Sequence, residues 1–179
     1  VIDSREAGPG ALFAGLPGEH VHGATFAAQA LRDGAWEVLV DPEHAEDLDG
    51  PGTVLVADDP LAALQRLATA WRRALGATVI GVTGSTGKTS TKDILTAMLR
   101  PERRVVSTPA NRNTEIGLPL VILDAPAGTE VLVLEMAMRG RGQIAELAAI
   151  AEPDIGLIVN LGPAHLELLG TLDATAATT

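Results

Sequence analysis

Hydrophobic positions along the 179 residues change texture near residue 77. Before it, short apolar stretches at 11–14, 38–40 and 54–56 are broken by Gly and Pro, a pattern that predicts short strands joined by turns. A helix follows. Asp59 suits its N-cap, Pro60 its first position, and Leu61, Leu64, Leu67, Ala68, Trp71 and Leu75 recur at helical spacing until Gly76 ends it. From Thr78 onward, unbroken apolar runs alternate with helical patterns. Residues 78–82, 131–134 and 155–159 read as strands. Residues 88–100 read as a helix with Ile94, Leu95, Met98 and Leu99 on one side, and 143–151 as another. Continuous apolar strands separated by helices predict an α/β fold, a mostly parallel sheet with helices on both faces. The expected organisation is a small N-terminal α/β domain over 1–58, a connecting helix over 59–76 and a truncated sheet domain over 77–179.

Composition narrows the function classes. A hydrophobic share of 46% with 20% charged residues belongs to a folded globular chain. The net charge of −10 argues against nucleic acid and anionic membranes, which need a basic footprint. No apolar run reaches the roughly 18 residues of a membrane span, so membrane insertion is not expected. With no cysteine, disulfides and thiolate metal sites are excluded, which fits a cytoplasmic location. The acidic run 41–49 reads as a solvated loop, and His20 and His22 as loop residues rather than a metal site. The opening at Val1 and the plain ending 174–179 suggest a piece of something longer.

The most informative segment is Thr83-Gly84-Ser85-Thr86-Gly87-Lys88-Thr89-Ser90, set between a strand and a helix as a phosphate loop requires. Glycines let backbone N–H groups turn toward phosphate oxygens, and the helix N-terminus adds partial positive charge. Lys88 would reach the β/γ-phosphates and the Thr89 hydroxyl would ligate Mg²⁺. The loop is short: Val82 stands where the usual pattern has its first glycine. Of thirteen basic residues only Lys88 and Lys92 are lysines, and both fall in this loop and the helix start. A site preferring a compact ammonium would ask for that. Glu135 ends an apolar strand, where an acid meets a nucleotide-bound metal at the C-terminal edge of a parallel sheet.

The segment 83–92 resembles the phosphate loop of the Mur ligases, ATP-dependent amide-forming enzymes of peptidoglycan assembly. Asn111-Arg112-Asn113-Thr114-Glu115-Ile116-Gly117-Leu118-Pro119-Leu120 is similar to a segment of the member that adds D-alanyl-D-alanine. So are Glu135-Met136-Ala137-Met138-Arg139-Gly140-Arg141-Gly142-Gln143-Ile144 and Asn160-Leu161-Gly162-Pro163-Ala164-His165-Leu166-Glu167. Near the start, Asp3-Ser4-Arg5, Gly10-Ala11-Leu12-Phe13 and Gly18-Glu19 resemble the family's UDP-substrate domain.

The resemblance implies an ATP- and Mg²⁺-dependent ligase. Thr83 to Ser90 and Asn111 would bind nucleotide, with Thr83, Gly84, Ser85, Thr86, Gly87, Lys88, Thr89 and Ser90 forming the loop. Thr89 and Glu135 would share one Mg²⁺, and His165 would help hold a second. Lys88, Glu135 and His165 would carry the chemistry. Ser4, Arg5, Asn113, Thr114 and Glu115 would contact UDP-N-acetylmuramoyl-tripeptide, the partner of D-alanyl-D-alanine. The protein would be a monomer, and these 179 residues, lacking the C-terminal domain, would not turn over alone. Some positions depart from the family pattern. Thr114 stands where a second Asn is usual, Ala137 where Gly is usual, and His22 where an acidic residue is common. Thr179 falls about where these ligases carry a carbamylated lysine. Rival readings are a ligase adding the preceding residue, a folylpolyglutamate synthetase, or a nucleotide-binding module without catalysis.

Overall fold

The computed structural model describes residues 1–46, 48–138 and 140–160. It comprises two compact units, 1–64 and 65–179. In the first, β1 (Leu12–Ala14), β2 (Glu37–Val40) and β3 (Thr53–Val56) form a parallel sheet in that order, with α1 (Ala27–Arg32) crossing between β1 and β2. Phe13, Val38 and Val40 are fully buried with Ala27, Ala30 and Leu31 of α1. Small alanines on the helix's inner face let it lie close to the strands. The acidic stretch after β2 is partly built rather than plainly solvated: the Asp41 carboxylate accepts from the His44 backbone N–H at 3.2 Å and caps a short 3₁₀ turn.

α2 (Pro60–Leu75) starts as its sequence indicates, with the Asp59 carboxylate accepting from Ala62 N–H at 2.9 Å. The second unit then alternates β4 (Thr78–Thr83), α3 (Lys88–Leu99), β5 (Val105–Ser107), α4 (Gly117–Leu123), β6 (Val131–Glu135), α5 (Gln143–Ala151) and β7 (Ile155–Ile158). All four strands are parallel, in the order β5-β6-β4-β7. Both central strands bury consecutive residues, and alternate side chains feed opposite cores. Val79, Leu132 and Leu134 pack with Leu118, Ile122, Leu147 and Ile150 from α4 and α5. Ile80, Val82, Val131 and Val133 pack on the other face with Leu95 and Leu99 of α3. The sheet is therefore helix-covered on both sides, as the apolar runs require.

Sequence periodicity misplaces the inner face of α3. Ile94 and Met98 are exposed, whereas Lys92 and Thr96 are buried beside half-buried Leu95 and Leu99. The reason is local: Lys92 finds a partner inside, donating from Nζ to the Thr108 carbonyl at 2.8 Å. Among the described residues no helix is long and apolar enough to cross a membrane.

Candidate functional site

The C-terminal edge of the second sheet gathers the chemistry. Parallel pairing puts Val82 beside Glu135 and Thr83 beside Ile158, so the loop after β4, the end of β6 and the end of β7 open on one side. The loop 84–87 turns through two left-handed glycines, Gly84 at φ +139° and Gly87 at φ +80°. A Cβ on Gly84 would sit 3.0 Å from the Asn160 backbone, so glycine is required for both conformation and space. Gly87 leads into α3 with no side chain capping it, leaving the first N–H groups of that helix turned to the site. Lys88 lies over the loop, with Nζ donating to the Gly84 carbonyl at 2.7 Å.

Glu135 is the buried centre of the arrangement. It is 3% exposed, and both carboxylate oxygens are engaged: Oε2 accepts from the Thr89 hydroxyl at 2.9 Å and Oε1 from Asn113 Nδ2 at 2.8 Å. Its backbone N–H donates to the Thr108 hydroxyl at 2.9 Å. The Asn113 carbonyl accepts from Ala137 N–H at 2.9 Å, tying the 109–116 segment to the end of β6 a second time. A hydroxyl and a carboxylate meeting beside a glycine loop are hard oxygen donors, the set that suits Mg²⁺.

The remaining candidates are distributed as follows. Asn111 is exposed on the turn that follows Ala110, a non-glycine residue at φ +44°. Thr114 lies three residues before α4, its hydroxyl accepting from Gly117 N–H at 3.3 Å, and the Glu115 carbonyl accepts from Gln65 Nε2 at 3.1 Å. Ser4 and Arg5 sit in the first unit on a 3₁₀ turn capped by Asp3. The Arg5 guanidinium chelates Asp3, with Nε 2.9 Å from Oδ1, and the side-chain hydrogen bond lowers the Asp3 pKa to about 2. His165 and Thr179 lie outside the described residues, as does Arg139. Lys92 does not accompany Lys88 at the loop; it is a buried anchor for the end of β5.

One grouping in the first unit escapes the sequence reading. His22 pairs with His44 rather than with His20: the rings stack at 4.4 Å and 15°, and Asp41 lies 3.4 Å from His22 Nε2 and 2.7 Å from His44 Nδ1. The His44 hydrogen bond lowers the Asp41 pKa. These donors lie within 4.8 Å of one another, but an imidazole ligand points at its metal in the ring plane, about 2 Å from nitrogen. Two nearly parallel stacked rings do not aim at a common point. His22 Nδ1 also accepts from Ala24 N–H at 3.2 Å, which in the neutral ring puts the proton on Nε2, toward Asp41.

Residues 82–179 match the Mur ligase middle domain, and residues 1–72 match the Mur ligase family catalytic domain. The chain belongs to the Mur ligase family. It is 45% identical over 169 residues to the UDP-N-acetylmuramoyl-tripeptide–D-alanyl-D-alanine ligase of Synechocystis, covering 94% of this chain and 37% of that relative. Among solved structures it resembles MurF from Acinetobacter baumannii, with a TM-score of 0.89 at 30% identity over 99% of this chain and 39% of that one. It also resembles the MurF ligase of Thermotoga maritima in complex with ADP, with a TM-score of 0.86 at 39% identity over 99% of this chain and 41% of that one. The α/β architecture is thus that of the N-terminal and middle domains of this ligase family, and the chain spans about two-fifths of the length of these relatives.

Proposed function

We propose that this chain is the UDP-substrate and nucleotide-binding part of a ligase that joins D-alanyl-D-alanine to UDP-N-acetylmuramoyl-tripeptide using ATP. The observation carrying this reading is the Thr89–Glu135–Asn113 hydrogen-bonded set beside the Gly84–Gly87 loop. Its support beyond geometry is the name of the relatives and the ADP held by one of them.

In this reading, residues 83–90 hold the phosphates and Asn111 lies against the triphosphate. Lys88 exchanges the Gly84 carbonyl for phosphate oxygen. Thr89 and Glu135 hold one Mg²⁺ and His165 helps hold another. Bound Mg²⁺ supplies positive charge against the phosphate oxygens. The tripeptide carboxylate attacks the γ-phosphorus and ADP leaves, giving an acyl-phosphate. The dipeptide amine then adds to that carbonyl, and the tetrahedral intermediate expels phosphate. No side chain serves as nucleophile; the residues position the groups and neutralise charge. Ser4, Arg5, Asn113, Thr114 and Glu115 are assigned to the UDP-linked substrate. The intact protein is read as a cytoplasmic monomer without nucleic-acid partners. The test is phosphate release by the full-length protein. It should require both ATP and D-alanyl-D-alanine with the UDP-tripeptide, and release that ignores the dipeptide would contradict the assignment.

A further inference from the structure

The phosphate loop is shorter than the usual pattern, and the end of β7 is hydrogen-bonded to it. Asn160 follows β7 and reaches back to the loop with three hydrogen bonds. Its carbonyl accepts from Ser85 N–H at 3.1 Å, its Oδ1 accepts from Thr86 N–H at 3.0 Å, and its Nδ2 donates to the Thr86 hydroxyl at 2.7 Å. Just before it, Val159 N–H donates to the Thr83 carbonyl at 2.9 Å. A Cβ on Gly84 would also crowd the backbone of Asn160, at 3.0 Å. Two loop N–H groups are thereby turned toward β7 and away from the nucleotide side.

Resting on the nucleotide-binding reading above, we propose that Asn160 is a positioning residue for the phosphate grip. Its carboxamide fixes Thr86 and its backbone carbonyl holds Ser85, so the donors left to receive phosphate are the N–H groups from Gly87 to Ser90. Those of Lys88, Thr89 and Ser90 precede the first intrahelical donor of α3, Thr91, which bonds to the Gly87 carbonyl. Asn160 therefore tunes nucleotide affinity without touching the nucleotide.

The test uses the full-length protein with Mg·ADP and Mg·ATP as probes. In the parent, Thr86 amide exchange should be slow and should remain slow on addition of Mg·ADP, because that N–H stays on Asn160. Asn160→Ala should speed Thr86 exchange and raise the Mg·ATP Kd about tenfold, the effect of roughly one well-formed hydrogen bond. Thr86→Val removes only the hydroxyl partner and should raise Kd by a smaller factor, with an unchanged melting curve. Asn160 is exposed at a strand end, so its replacement leaves the cores intact. A parent that binds Mg·ATP, a Lys88→Ala that loses binding and an Asn160→Ala within twofold of the parent would overturn the Asn160 role alone. A folded parent that binds no Mg·ATP would overturn the nucleotide reading and this role with it.

Discussion

At the residue scale, Glu135 divides its two carboxylate oxygens between Thr89 and Asn113. Thr89→Ala should raise the Mg²⁺ concentration needed for half-maximal activity while leaving the thermal midpoint within a few degrees, as titration and scanning calorimetry would show. A second residue makes an independent prediction about stability. Thr96 is buried and its hydroxyl has no hydrogen-bond partner among the described residues. Thr96→Val keeps the shape and removes the unsatisfied group, and should stabilise the fold by about 1 kcal/mol in denaturant titration. Asp154 supplies a pH dependence. Its carboxylate accepts from Val79 N–H at 2.8 Å, which with nearby Arg72 lowers its pKa below the ordinary 3.8. A lowered folded pKa contributes stability above 3.8 that disappears as pH falls through the folded value. Asp154→Asn should lower the melting temperature near neutral pH, and the gap should close as pH drops below that range.

At the element scale, the long strands and α2, α3 and α5 were legible because each carries its own pattern. Three elements were not. β5 is three residues long and follows the charged run Glu102-Arg103-Arg104, so its apolar signal is too short to register. α1 is six residues rich in alanine. α4 contains Pro119 and buries nearly every side chain, so it shows no polar face to mark a helical period. Its start is crowded as well. A Cβ on Gly117 would approach Arg112 Cα at 2.6 Å, so Gly117→Ala should destabilise the unit by about 1–3 kcal/mol, measured by urea unfolding. α3 is the converse case: Ile94 and Met98 drew the inner face the wrong way, because a buried lysine satisfied by Thr108 outweighs apolar character.

At the scale of the chain, the phosphate loop and the acid at the end of β6 could be read directly because strand-loop-helix context and chemistry coincide there. The partners of those residues could not. Asn113 and Glu135 are 22 residues apart and Thr86 and Asn160 are 74 apart, and they meet only because the strand order is β5-β6-β4-β7. The His22–Asp41–His44 grouping was hidden for the same reason, since it joins the ends of different elements. Charge was also a poor guide to this edge: a net −10 coexists with a loop whose local N–H groups and Lys88 suit an anion. We propose that this loop binds nucleotide phosphates. Calorimetric titration with Mg·ATP, parent beside Lys88→Ala, tests it most directly. Saturable one-to-one binding is expected, weakened by the substitution at least about tenfold, the worth of a charge-assisted contact. Equal binding by both folded proteins, or none by the parent, would contradict it.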